Sequence, residues 1–360
     1  MPSPHEVGLA QYRRQQRIVR RAANRVQTLW RQIDAGDITG SWEQLAPLLV
    51  QAVTEAQTTA AALADPYLDA VVAAEGVAQA AAPRINPAAF AGTASDGRPL
   101  ISLLYQPVID WKVRLLAGQS PRDAAAGSLA SALRITATQV ADAGRGATGA
   151  AMAGRRTIQG YVRVVQPPAC SRCVILAGTE WGWNRGFQRH PKCDCIHLPT
   201  TLIARGQGRQ GSLSGDRFTP TTRPGGGGRG FLDPSAYFNG LSRTEQDRVF
   251  GVAGARAIRD GADMAQVVNA RRGMFTATAY GHRLAATREG TTRRGEFYRR
   301  ERARTEARLG TRFARDRIDV RRGLPRFELR TPRLMPEEIY RIAQSRERAI
   351  EMLTRFGYLT

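Results

Sequence analysis

Long apolar runs are missing from this 360-residue sequence, and cysteine, histidine and lysine are scarce. The longest near-apolar stretch, YLDAVVAAEGVAQAAA at 67–82, is alanine-rich and broken by charge. It falls short of the roughly 20 strongly apolar residues that cross a bilayer, so no membrane association is expected. Arginines are scattered through 5–34, which leaves no apolar core for a secretory leader there. The expectation is synthesis in a reducing cytoplasm, where clustered cysteines point to a metal more than to disulfides. GxxxxGK[ST], HExxH and GxSxG are all absent, which argues against a nucleotide-driven motor and against the hydrolases those motifs mark.

What the sequence has in excess is positive charge. Lys and Arg total 53 against 31 Asp and Glu, a formal net charge of +22, and only Lys112 and Lys192 are lysines. High-GC coding favours arginine, alanine and glycine together, but it does not explain the excess of base over acid. A surface of this sign attracts phosphate backbones, so double-stranded DNA or a strongly acidic protein is the expected neighbour. The densest segment, 283–333, carries 17 arginines against seven acidic residues. Within it Arg293, Arg294, Arg299, Arg300, Arg302, Arg321 and Arg322 are the candidate nucleic-acid contacts. No base-reading module accompanies them, so binding should be non-specific and should weaken with salt.

Hydrophobic periodicity divides the chain. Residues 4–34 repeat apolar side chains at three and four, with arginines between them, as an amphipathic basic helix does. Ser41 and Gln44 have capping-box spacing, and Asp65-Pro66, Asn86-Pro87 and Ser120-Pro121 each read as an N-cap followed by proline. Four or five helices therefore fill a first region, 1–158. YVRVVQ at 161–166 alternates as a short strand and leads into a centre at 159–203. A Gly/Arg-rich linker follows at 204–232, and then a helical, arginine-rich C-terminal region at 233–360. There one helix is expected from Ser242 to Gly261 and a final one from Pro336 to Gly357. The fold class expected is mainly α: a helical N-terminal region, a small α+β zinc-knuckle centre and a helical basic C-terminal region.

All four cysteines lie between 170 and 195, inside CSRCVILAGTEWGWNRGFQRHPKCDCIH. Cys170 and Cys173 form a CxxC, whose tight turn aims two sulfurs at one point, half of a zinc knuckle. HPKCDCIH supplies His190, Cys193, Cys195 and His197, so six donors compete for four tetrahedral places. The sets that fit are the four cysteines, or Cys170 and Cys173 with His190 and one of Cys193 or Cys195. Ile175, Leu176, Trp181, Trp183 and Phe187 are available to cover the site. A redox CxxC usually opens a helix after a strand within alternating strand and helix units, and that alternation is missing here. The cofactor expected is a structural Zn2+, because a closed, thiolate-rich shell leaves no position for a reactive water.

The frame RVVQPPACSRCVILAGTEWGWNRGFQRHPKCDCIHLP resembles the MuF-like family of phage head morphogenesis, or minor capsid, proteins. The shared features are Cys170, Cys173, Ala177-Gly178, His190-Pro191, Cys193, Cys195 and Pro199. FGVAGARAIRDGADMAQVVNARRGM, TREGTTRRG and LMPEEIYRIAQSRERAIEMLTRFGY are similar to the C-terminal halves of the versions from phages of high-GC actinobacteria. The resemblance implies a low-copy virion protein, assembled in the host cytoplasm with the portal, major capsid or scaffolding protein, and placed inside the head near the portal vertex. It implies no catalytic residues. The rival readings are a nuclease on the same zinc scaffold, a fused capsid maturation protease, and a DNA-binding regulator or injected effector. A nuclease would need a further histidine pair, and only His5 and His282 remain.

Overall fold

The computed structural model describes residues 1–78, 81–187, 189–190, 193–201, 232–279 and 281–359. All of the 204–232 linker except Leu232 lies outside the described residues. The chain divides into two compact units, Met1–Pro167 with Leu176–Asp233, and Pro168–Ile175 with Pro234–Thr360.

In the first unit the amphipathic pattern becomes α1, Pro4–Trp30. Ser3 accepts from the Glu6 amide while the Glu6 carboxylate accepts from the Ser3 amide, so two helix-end donors are satisfied reciprocally. Ala22, Val26 and Trp30, four residues apart, are buried on one stripe. Arg13, Arg14, Arg17, Arg20, Arg21 and Arg25 are exposed on the others.

α2 spans Ile38–Ala62, and its cap is Asp37, whose carboxylate accepts from the Gly40 amide at 2.9 Å. The capping box expected at Ser41 and Gln44 is not formed. The earlier carboxylate starts the helix first, and the Ser41 hydroxyl donates instead to the Asp37 carbonyl at 2.5 Å. Asp65 does not cap α3, Ala64–Ala74; it is buried and pairs with Arg155 at 2.8 Å. Asn86 caps a single 3-10 turn at Pro87–Phe90. The short helices α4, Leu100–Leu104, and α5, Gln106–Leu116, follow, and Ser120 caps α6, Pro121–Ala153.

α6 is the spine of this unit, with α1, α2, α3 and α5 packed on it. Its Ala and Gly faces permit close approach. The place a Cβ would take on Gly144 is filled by the Gln15 amide of α1, and Gln15 also donates to the Ala60 carbonyl of α2 at 3.1 Å. One buried side chain thus ties three helices. The core joins Val26, Trp30, Trp42, Leu49, Val53, Leu104, Val108 and Val140. Beyond α6 lies β1, Gly160–Val164; α7, Ser171–Leu176, follows it in sequence, but all of it except Leu176 belongs to the second unit. Next come β2, Glu180–Gly182, and β3, Ile196–Thr200. The sheet is antiparallel in the order β2-β1-β3, and its register sets Arg163 opposite His197.

The second unit begins with α8, Pro234–Gly240, and α9, Arg243–Phe250. The helix expected to run from Ser242 to Gly261 is broken. Gly251 takes φ 77° and ψ 148°, a conformation open essentially to glycine alone, and α10, Val252–Arg259, starts as a separate helix. α11, Met264–Ala270, leads into a sheet that the periodicity did not announce. β4, Met274–Ala279, pairs with β5, His282–Thr287, around Gly281 at φ 74°. After α12, Glu296–Leu309, and α13, Arg317–Arg321, β6 at Arg333–Leu334 completes this sheet on β5.

The final helix is also two. α14, Pro336–Ile342, stops at Ala343, and Ser345 caps α15, Arg346–Arg355, by accepting from the Arg348 amide. The core is Leu284, Phe297, Leu334, Met335, Ile339, Leu353, Phe356 and Tyr358. Arg333 is buried inside it, donating to the carbonyls of Phe356, Glu289 and Gly357 at 2.8, 3.0 and 3.3 Å and to Gln266 Oε1 at 3.1 Å. Pro168–Ile175 belongs with this unit through Tyr237, whose hydroxyl bridges the Ala169 amide and carbonyl, and through Arg172 on Asn269. The described residues are mainly α with two small antiparallel sheets. Among the described residues no helix is long and apolar enough to cross a membrane.

Candidate metal centre

The CxxC opens α7. The Cys173 amide donates to Cys170 Sγ at 3.3 Å and the Val174 amide to the Cys170 carbonyl at 3.0 Å, so Cys170 occupies a cap position. A helix does start at the pair, as it would in a redox motif. The neighbouring strands, however, are all antiparallel and form no alternating strand and helix unit. In the second donor segment the Cys193 amide donates to the His190 carbonyl at 3.0 Å, turning the chain just before β3. Cys193 and Cys195 Sγ then lie 2.8 Å apart. All four cysteines stand as thiols rather than disulfides.

The donors gather into two groups that share Cys173. Cys170, Cys173 and His190 form one, and Cys173, Cys193 and Cys195 the other, with the ligand atoms of each group within 4.8 Å of one another. Either group could hold a metal ion, and together they contain five of the six donors the sequence offers. Soft thiolates with an imidazole suit zinc among the divalent metals.

His197 takes no part in either group. It is buried, with its ring 4.2 Å from that of Phe187 and 4.4 Å from that of Tyr161, and its carbonyl accepts from the Tyr67 hydroxyl at 2.8 Å. Burial holds its pKa well below the ordinary value, and the charges of Arg145 and Arg163 push the same way, so the imidazole is neutral. Of the aromatics expected to cover the donors, Trp181 is buried and Trp183 is 47% exposed.

Two arginines that the sequence reading passed over surround the thiols. Arg163, buried on β1, donates from Nη1 to Cys195 Sγ at 2.9 Å and stacks 3.9 Å above the Phe187 ring. The strand register explains this: Arg163 faces His197, so the residue two positions before His197 is its diagonal neighbour on the same face. Arg145, from α6, donates Nε to the Cys195 carbonyl at 3.0 Å and Nη2 to the Cys193 carbonyl, while Nη1 pairs with Asp142 at 2.7 Å. Arg189 reaches the same Asp142 oxygen at 2.6 Å. Fixed cations beside the sulfurs offset the negative charge of a multi-thiolate site. The signal available for Arg145 was an Asp142 and Arg145 pair, three residues apart, in the otherwise uncharged small-residue run ADAGRGATGAAMAG; for Arg163 it was a charge inside an otherwise apolar strand. Between the two thiols Asp194 accepts from the Tyr12 hydroxyl at 2.5 Å, and burial raises its pKa.

The candidate nucleic-acid arginines are spread along the second unit and partly neutralised. Arg299 and Arg300 both pair with Glu296, at 2.5 and 2.8 Å, and Arg302 lies 3.8 Å from Glu306. Arg293, Arg294, Arg321 and Arg322 are exposed.

A family model described as VG15 protein matches residues 4–210, which takes in α1 to α6, the first sheet and every cysteine. No curated protein and no solved structure shows significant similarity to the chain. Since the match covers more than half of its 360 residues, the chain belongs to the VG15 protein family, a family of phage proteins.

Proposed function

We propose that this chain is a MuF-like minor capsid protein of a phage, a non-enzymatic component of head assembly that sits inside the procapsid near the portal and contacts packaged DNA. The observation that carries the reading is the VG15 match extending through the CxxC and HPxCxC donors. The ion proposed is Zn2+, drawn from Cys170, Cys173, His190, Cys193 and Cys195. Its contribution would be structural, closing the 170–195 segment, whose own apolar content is too small for an independent core. Four of those donors fill a tetrahedron, and a closed shell offers no water for chemistry. The N-terminal helices are the proposed contact for portal, coat or scaffolding protein, and the exposed arginines of the second unit the proposed contact for DNA phosphates.

The test is to purify procapsids and mature virions from infected cells and quantify the chain by mass spectrometry. A low, constant copy number in both is the expected result. Absence from both particles removes the reading in favour of an enzyme or regulator acting in the host cell.

A further inference from the structure

The second unit contains a cleft of about 550 Å3 lined by Arg243, Asp247, Arg256, Arg259, Asp260 and Arg346. None of these residues belongs to the arginine-dense segment. Both carboxylates are already engaged. Asp247 accepts from Nη1 and Nη2 of Arg259 at 3.3 and 3.2 Å. Asp260 accepts from the Tyr340 hydroxyl at 2.7 Å and pairs with Arg346 at 3.1 Å. Arg256 stacks 4.1 Å from the Tyr340 ring, a contact that fixes its guanidinium without neutralising it. Arg243 and Arg256 have no ion-pair partner among the described residues. Glu245 and Glu347, in the first turns of α9 and α15, are bound to the Ser242 and Ser345 hydroxyls.

Four guanidinium groups against two carboxylates leave the lining with two positive charges. The ion pairs hold Arg259 at the wall, while Arg346, 66% exposed, can turn from Asp260 toward a ligand. We infer that this cleft binds phosphate oxyanions, with Arg243 and Arg256 as the principal donors and Arg346 as a third. Guanidinium forks match two phosphate oxygens at once, and a surplus of two charges suits one phosphate monoester dianion or two successive phosphodiesters. Two sources supply that chemistry: the backbone of DNA and a free phosphate. The assignment rests on the DNA-contact part of the reading above and deepens it by adding a phosphate site in a defined cleft to the contacts proposed for the exposed arginines of 293–322.

The experiment uses the full chain and the double variant Arg243→Gln/Arg256→Gln. Both side chains are exposed and without described ion pairs, so the variant should fold, and circular dichroism checks that it does. Binding of a 20-base-pair duplex is followed by fluorescence anisotropy over a salt series, and inorganic phosphate is titrated at constant ionic strength against thermal stability. If the cleft takes DNA, the slope of log K against log salt falls by roughly 1 to 2 and affinity near 0.1 M salt drops about tenfold or more. If it takes free phosphate, the slope is unchanged, but phosphate stabilises the wild type and not the variant. A variant that matches the wild type in both measurements overturns the site. A wild type that binds no duplex removes the DNA reading instead, and the phosphate titration then decides the cleft by itself.

Discussion

Arg163 and Arg145 hold two permanent cations against the Cys193–Cys195 pair, and their removal should be felt through the metal before it is felt through the fold. Arg163→Met keeps most of the volume over Phe187 and removes the donor to Cys195 Sγ. The expected result is a zinc affinity lower by about 10- to 100-fold, the usual cost of losing an outer-shell partner, measured by competition with a chromogenic chelator. An unchanged affinity would mean that Arg163 serves packing alone. Arg333 is the contrasting case, an arginine deep in the second unit with four acceptors around one guanidinium. Arg333→Leu leaves the Phe356 and Gly357 carbonyls buried without this donor and removes it from two part-buried acceptors, so a loss of about 3 kcal/mol is expected in urea denaturation, with no change in bound metal. Part of the arginine excess is therefore internal hydrogen-bonding material. Composition counts such residues as surface charge because nothing in a sequence records which guanidinium groups are buried.

At the scale of elements, the helices of the first unit were legible because their signals are local: proline at the first turn, a small acceptor before it, and apolar residues at three and four. Even there Asp37 displaced Ser41 as a cap, and Asp65 left its expected cap position for an ion pair with Arg155, ninety residues away in sequence. The second sheet was not legible. MFTATA and HRLAAT are short, and the two alanines in each suit a helix as well as a strand, so pairing across Gly281 decides the matter. Gly251 is the element-scale test. Its backbone lies in a region that side chains disfavour, and Gly251→Ala should cost about 1–3 kcal/mol. The unfolding midpoint should fall accordingly, and an unchanged midpoint would mean that α9 and α10 rejoin as one helix.

For the whole molecule, the metal and the charge give separate measurements. The purified protein should carry about one zinc per chain, and chelation should expose the 170–195 segment to protease while the α1–α6 helical signal persists. A chain that holds much less zinc and resists protease in chelator would rule out a structural ion. Deleting 283–333 would not test DNA contact, because Leu284 and Phe297 are core residues of the second unit. Replacing Arg293, Arg294, Arg321 and Arg322 by Gln keeps that core, and the salt slope of duplex binding should fall by about 2 to 4 if each arginine meets a phosphate. The sequence by itself determined the helical character of the first unit, the donor types and their spacing, and the sign of the surface, since each depends on residues near one another in the chain or on composition. The tertiary structure alone decided that His197 packs between rings instead of joining the donors, that Arg145 and Arg163 flank the thiols, and that two carboxylates are spent within an arginine-lined cleft. Those outcomes depend on strand register and on contacts between residues far apart in the chain, and distances of that kind are set only when the chain has folded.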